Sequence, residues 1–329
     1  MSPVALAVEF ADPVLEESVR VGLDAVETTL REAVESSDAF VAETAGHLVQ
    51  AGGKRFRPMV SVLSAHFGDA TRPEIVPAAV VCEITHLATL YHDDVMDEAA
   101  VRRGAESANA RWDNTVAILT GDFLFSRASN ILADLGPWAV RLQARTFERL
   151  VIGQIHETVG PHEGVDPIDH YLRVLADKTG SLIATSAEFG AHYAGAGDDV
   201  VGRLRTFGEQ IGVAFQLSDD ILDIASDEAQ SGKTPGTDLR EGVATLPVLY
   251  ALRSSRDDRL RALVSHPLLD DGEHAEALRL LRASSALDEA RATLRTYADT
   301  ARQTLAGLPD VPARAAFSAL TELVIARTG

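Results

Sequence analysis

One helical rhythm runs from end to end of this chain and limits what it can fold into. In LEESVRVGLDAVETTLREAVE, residues 15–35, Leu15, Val19, Leu23, Val26 and Leu30 stand three or four apart with charges between them, the spacing of an amphipathic helix. The same pattern predicts helices over 40–50, 75–98, 115–134, 140–158, 168–194, 200–225, 243–253, 273–305 and 311–326, while alternating, strand-like stretches are nearly absent. Between them lie the breakers AGGKRFRP, GDATRP, GPW, GPHEGVDP, AGAGDD, SDEAQSGKTPGTDLREG and GLPDVP. Helix 75–98 has a start signal in Thr71 and Glu74, a capping-box pair. Hydrophobic residues make up 46% of the chain and aromatics only 5%, which suits aliphatic helix-on-helix packing, so the expected fold class is all-α. No shift in composition marks a domain boundary across the 329 residues.

A formal charge of −19 argues against a nucleic-acid partner, which needs a broad basic face. No run approaches the eighteen or so apolar residues of a membrane span, and MSPVALAVEFADP lacks the basic start of a signal peptide, so a cytoplasmic protein without a transmembrane segment is expected. The lone Cys82, within VPAAVVCEI, reads as a small buried apolar residue.

Negative charge is concentrated where it costs most. YHDDVMDE, residues 91–98, ends an apolar helical run with Asp93, Asp94 and Asp97. Asp93 and Asp97 share a helix face one turn apart, with Asp94 rotated by about 100°. QLSDDILDIASD repeats the arrangement with Asp219, Asp220 and Asp223. Asp198-Asp199, Asp257-Asp258 and Asp270-Asp271 lie in polar or Gly-flanked stretches and read as solvated faces or caps. At 93 and 219 the setting is too apolar for unpaired carboxylates, so cations should face them. All-oxygen donor sets favour Mg²⁺, which is commonly shared with substrate phosphates, and no Cys/His cluster has the spacing for a softer metal. Guanidinium and ammonium groups suited to phosphate occur in GGKRFRP, with Lys54, Arg55 and Arg57, and in VRRG, with Arg102 and Arg103.

Together, GGKRFRP, HLATLYHDDVMDEAAVRRG, GDFLFSRA, DKTGSL, FQLSDDILD and GKTPGTDLREG, spread in this order from residue 52 to 242, resemble the trans-polyprenyl diphosphate synthase family. The resemblance implies a single-domain antiparallel helical bundle of the isoprenoid synthase type over 1–329, usually a homodimer, with both acidic motifs facing a central cavity. It also implies condensation of isopentenyl diphosphate with an allylic diphosphate, dependent on a Mg²⁺ cluster of up to three ions. By resemblance, Asp93, Asp97 and Asp219 ligate the metals, with Asp94, Asp220 and Asp223 supporting them. Arg102 contacts the allylic diphosphate, and Lys54, Arg57, His86 and Arg103 form the isopentenyl diphosphate site. Lys178, Thr179 and Gln216 line the reacting end. Where many relatives carry a lysine after TDLREG this chain has Val243, with Lys233 or Arg240 as substitutes, and the loop 226–242 is a candidate lid.

Positions a turn or more before Asp93 line the region below the metals. Here these are Thr89, Ala88 and Thr85, all small, whereas short-chain relatives usually carry an aromatic four or five positions before the motif; Tyr91 is too near to serve. The expectation is a deep tunnel and a long product of about C30 or more, with Phe123 and Phe125 as candidate floor. The alternatives are a short-chain synthase of the farnesyl or geranylgeranyl type, a metal-dependent phosphohydrolase using His86 and His92-Asp93, a terpene cyclase, and a non-catalytic partner subunit. The hydrolase leaves the second motif unexplained, the cyclase needs no isopentenyl diphosphate pocket, and the partner subunit should lack intact acidic motifs.

Overall fold

The computed structural model describes residues 10–226 and 235–328. Helices dominate, and they group into two compact units. The first takes the chain to Glu148 together with Leu182–Gly208 and Gly307–Phe317; the second comprises Arg149–Ser181, Glu209–Ala306 and the chain from Ser318.

The first unit is built around one helix. Helix α1, Pro13–Ala33, starts where Asp12 accepts hydrogen bonds from the Val14 and Leu15 amides, and it buries Leu15, Val19, Val26 and Leu30. Helix α2, Ala39–Gln50, is capped in the same way by Asp38. Helix α3, Phe56–Ala65, falls where the sequence reads as a breaker; Pro58 fits because the first helical turn needs no amide donor there. Helix α4, Ile75–Met96, packs on α1 and α3 and is apolar nearly all round, the mark of a central helix. By length and composition it could cross a membrane, contrary to the sequence expectation, but most of that stretch is buried inside the protein.

The capping box at Thr71 and Glu74 does not form. Thr71 bonds Asp69 through both its amide and hydroxyl, and Glu74 makes no side-chain cap. After α4 a short hairpin pairs β1, Val101–Arg102, with β2, Ala105–Glu106. Its two-residue turn, Arg103-Gly104, has positive φ at both positions, as a hairpin of this twist requires. Then follow α5, Ala108–Arg111, and α6, Asn114–Leu135, which packs along α4. Helices α7, Pro137–Val159, and α9, Ser181–Tyr193, contribute to this unit, α7 up to Glu148 and α9 from Leu182.

In the second unit, the expected continuous helix 168–194 is interrupted. Helix α8, Pro167–Leu175, runs into a single π-turn, Ala176–Gly180, before α9 begins. Such turns occur frequently at functional sites. Helix α10, Asp198–Ala225, carries the second acidic motif in its last turns. Beyond come α11, Thr237–Glu241; α12, Leu246–Ser254; α13, Asp258–Leu263; α14, Asp271–Arg282; α15, Ser285–Ala306; and α16, Pro312–Ala326. The expected helix 273–305 is thus two helices, parted at Ala283 and Ser284, and the helix expected from 243 starts after the left-handed Gly242.

Candidate active site

In the first unit α4 delivers the first motif at its C-terminus. Asp97 caps the helix in αR geometry and donates its amide to the Asp93 carbonyl at 2.8 Å, so the two stay one turn apart. Asp94 is fully buried; Arg102 Nε donates to its Oδ1 at 2.5 Å, and Arg102 Nη2 is 4.0 Å from Asp97. Burial pushes the Asp94 carboxyl up and outweighs Arg102. Its Oδ2 is buried without a hydrogen-bond partner.

Around this helix end the cations converge. Burial and the guanidinium groups of Arg57, Arg103, Arg102 and Arg55 hold His86 well below its ordinary pKa, so it is neutral at pH 7. Arg103 donates to the Leu48 carbonyl at 3.2 Å and to the Gly52 carbonyl, and lies 3.8 Å from Glu83. Gly53 brings the backbone close to these cations: a Cβ there would meet Arg103 Nη1 at 2.9 Å. Arg55, suited to phosphate by residue type, is instead buried and ion-paired with Glu27 at 2.8 Å and Glu83 at 3.0 Å. Arg57 is pushed down by burial, and its Nε finds no partner. A cavity of about 620 Å³ is lined by Glu27, Gly52, Gly53, Lys54, Arg55 and Arg103, among others.

Three non-glycine residues have positive φ among the described residues: Arg55, Glu98 and Arg103. All three adjoin the motif or its cations, where locally strained backbone is typical of a functional site.

The chain-length candidates are buried or half-buried. Thr85 and Ala88 are fully buried, and Thr89 donates its hydroxyl to the His86 carbonyl at 2.8 Å. Tyr91 turns to α2, donating to the Thr44 carbonyl at 2.5 Å and accepting from the Leu48 amide at 3.2 Å. Phe125 packs between His92 and Phe147, while Phe123 lies under Arg127. His92 Nε2 faces the Ile118 carbonyl at 3.1 Å and lies 3.5 Å from Asp122 Oδ1.

In the second unit, each aspartate of the second motif has a different partner. Asp219 Oδ1 accepts from Arg327 Nη2 at 2.5 Å. Asp220 accepts from the Tyr171 hydroxyl and from Gln216 Nε2 at 3.0 Å. Burial, against those two hydrogen bonds and with Asp219 and Asp223 adding to it, pushes Asp220 up to about 7. Asp223 accepts from the Thr237 and Asp238 amides at 3.2 and 3.3 Å, tying the motif to the start of α11. Gln216 is therefore engaged with the motif itself.

Lys178 and Thr179 sit in the π-turn, and Lys178 Nζ contacts Glu157 at 2.5 Å. The turn is braced by Arg149, whose guanidinium joins Asp177 at 2.8 Å to Glu209 at 2.7 Å. Lys233 lies outside the described residues, as do residues 227–234 of the candidate lid. Val243 is exposed, and Arg240 pairs with Asp271 at 2.7 Å.

Tyr171, Arg149, Arg327 and the Glu27–Arg55–Glu83 network were not legible from motif spacing. Their partners lie tens to more than a hundred residues away along the chain.

Among the described residues, no three His, Cys, Asp or Glu side chains converge into a preformed metal site. The donor chemistry nevertheless fits a hard divalent ion. The carboxylates stand one turn apart at a helix end, and a buried Asp94 oxygen has no partner.

Residues 38–281 match the model of the polyprenyl synthetase family. The chain is 51% identical to the nonaprenyl diphosphate synthase of Mycobacterium tuberculosis, over 99% of this chain and 98% of that protein. Among solved structures, the geranylgeranyl pyrophosphate synthase of Corynebacterium glutamicum, complexed with calcium and isoprenyl diphosphate, is 45% identical with a TM-score of 0.88, covering 98% of this chain and 100% of that one. A decaprenyl diphosphate synthase from Rhodobacter capsulatus is 34% identical with a TM-score of 0.87, covering 96% and 99%. The chain belongs to the polyprenyl synthetase family. It is an all-α enzyme of that family, a transferase of prenyl groups.

Proposed function

We propose that the protein adds isopentenyl diphosphate units, head to tail and trans, to an allylic diphosphate and builds a long polyprenyl diphosphate of about C30 or more. The observation that carries the reading is the juxtaposition, in one unit, of a carboxylate-bearing helix end with Lys54, Arg57, Arg102, Arg103 and a neutral His86. Product length is supported by the small residues below Asp93, by Tyr91 turning away to α2, and by the likeness to a nonaprenyl diphosphate synthase.

Asp93, Asp94 and Asp97 in the first unit would hold Mg²⁺, and Asp219, Asp220 and Asp223 in the second would likewise hold Mg²⁺, up to three ions in all. When bound, Mg²⁺ supplies Lewis-acid neutralisation of the leaving diphosphate. Arg102 stands between Asp94 and Asp97 and offers its guanidinium to the same diphosphate. Lys54, Arg57 and Arg103 bind the second diphosphate and hold the double bond of isopentenyl diphosphate in line with the allylic carbon. Neutral His86 donates or accepts a hydrogen bond there without adding charge. The Lys178 backbone carbonyl, the Thr179 hydroxyl oxygen and the Gln216 amide oxygen would stabilise positive charge spreading over the reacting carbons. No side chain is dedicated to the final deprotonation, and the released diphosphate takes the proton.

The reading extends to a single catalytic domain over the whole chain and to a cytoplasmic homodimer without a nucleic-acid partner. Dimerisation is supported by exposed apolar side chains on α6, Ile118 and Leu119, and on α7, Val151, Ile155 and Val159. The test is incubation with an allylic primer, labelled isopentenyl diphosphate and Mg²⁺, followed by chromatography of the dephosphorylated products. A metal-dependent ladder ending in a long prenol is expected. A product stopped at fifteen or twenty carbons would overturn the length, and no incorporation with any primer would overturn the activity.

A further inference from the structure

Below the first acidic motif the interior of the first unit turns from apolar to polar. Thr85 stands eight residues before Asp93, about 12 Å down the axis of α4. Gln143 Nε2 of α7 donates to Thr85 Oγ1 at 2.7 Å, with both side chains buried. One turn further along the same face of α7, Thr146 Oγ1 meets Thr185 Oγ1 of α9 at 2.5 Å, again buried. Four polar side chains thus form a belt across three helices. Ala88 and Leu87 of α4 lie between Thr85 and the motif, and Phe147, its ring tilted against Phe125 with centroids 4.5 Å apart, lies one turn of α7 beyond Gln143.

The belt is not the best way to fill a core. Gln143 Oε1 is buried without a partner, a cost that an apolar residue of similar volume would avoid. That orphan also means a single hydrogen bond fixes the end of a side chain with three rotatable torsions. Such a group can close a path and yet swing aside.

We propose that the Thr85–Gln143 pair is the length-selecting gate of the elongating prenyl chain. The inference rests on the elongating activity proposed above. At about 12 Å the belt lies at the reach of roughly two to three isoprene units, taking an extended carbon chain at the spacing of an extended backbone. Shorter chains end above the pair. Longer ones must break the bond and displace the Gln143 amide, so elongation pauses at that length.

The test uses the full chain with geranyl diphosphate, limiting labelled isopentenyl diphosphate and Mg²⁺, and samples dephosphorylated products over time. Wild type is compared with Gln143→Ala and with Thr85→Val, which keeps the volume and removes the hydroxyl. Wild type is expected to accumulate the fifteen-carbon intermediate. Both variants should lower the ratio of that intermediate to longer products by about fivefold, the factor corresponding to one net hydrogen bond. Unfolding midpoints measured alongside report packing alone, and a purely structural pair would move those and leave the ratio fixed. An unchanged ratio with normal total incorporation would overturn the gate while leaving the activity standing. Absence of incorporation by the wild type would instead overturn the activity on which the gate rests. If Gln143→Ala fails to fold, the volume-conserving Thr85→Val decides.

Discussion

Replacing Arg55 with methionine removes a guanidinium on which two buried carboxylates depend. Arg55 Nε donates to Glu27 Oε2 at 2.8 Å and Nη1 to Glu83 Oε1 at 3.0 Å, while Nη2 reaches Glu27 Oε1 and the Val49 carbonyl, each at 3.3 Å. Without it, Glu83 keeps Arg103 at 3.8 Å and the charge of buried Arg57, and Glu27 keeps Arg31 at 3.0 Å. Removing one partner of a buried ion pair costs about 3–5 kcal/mol. The left-handed backbone at 55 (φ 48) remains strained with methionine, so nothing offsets that cost. At about 2–4 °C per kcal/mol for a large domain, the unfolding midpoint should fall by about 10 °C.

The pH dependence follows from Glu27. Burial raises its pKa, but the hydrogen bonds and charge of Arg55, with Arg31, outweigh burial and hold it below 4.5. A depressed carboxyl stabilises the fold above its unfolded value, and that contribution fades as pH falls through the folded value. The gap between wild type and Arg55→Met should therefore be full near pH 7 and shrink in acid below about pH 4.5. The triple variant Arg55→Met/Glu27→Gln/Glu83→Gln should recover most of the loss, because neutral amides no longer need a counter-charge. Thermal unfolding monitored by circular dichroism checks each variant. A fall of less than about 2 °C in the single variant, or a triple variant no better than the single, would refute the argument that buried charge sets the cost.

Three further outcomes are expected. Glu188 has its pKa raised by burial, against Arg205 and Arg145, and its Oε2 is buried without a partner. Its raised pKa penalises the fold as pH rises, so Glu188→Gln should stabilise by about 1 kcal/mol at pH 8 and give no gain at pH 4, measured by denaturant titration. Tyr171→Phe removes a hydrogen bond to Asp220 and should weaken divalent-ion binding about tenfold, read by calorimetric titration with Ca²⁺ on the full chain; unchanged affinity would refute Tyr171 as a residue that positions Asp220 for the ion. In Gly190→Ala, the added Cβ would sit 1.9 Å from the Ser61 carbonyl oxygen, so the α3–α9 contact must open, at a cost of about 3 kcal/mol in unfolding free energy.

The helices were legible because burial repeats every three to four residues, and the periodicity of 15–30 returns as the buried face of α1. The acidic motifs were legible because three carboxylates at the end of an apolar run have no structural excuse. Three features resisted the same logic. Helix α3 hides behind Gly-Gly-Lys-Arg-Phe-Arg-Pro, whose turn residues describe its entry and not its body. The π-turn at Ala176–Gly180 has a helix-forming sequence and is braced by Arg149 from a distant stretch of chain. The break between α14 and α15 falls at Ala283-Ser284, without Gly or Pro to mark it.

The distribution of arginines reconciles so acidic a chain with the diphosphate-binding role proposed for it. Net charge is a property of the whole surface, whereas recognition depends on the few ångströms around His86, and there Arg55, Arg57, Arg102 and Arg103 prevail. Their roles divide by burial. Arg55 is neutralised by Glu27 and Glu83 and fixes the Gly52-Gly53 loop, while Lys54 stays exposed at the cavity. Arg103 Nη1 donates to the Leu48 and Gly52 carbonyls and so locks the hairpin turn to that same loop. The strained φ values at Arg55 and Arg103 are held by these contacts and position the cations before any anion arrives. On the proposed function, a diphosphate entering this unit would meet fixed guanidinium groups, and the ordering cost of binding would be correspondingly small.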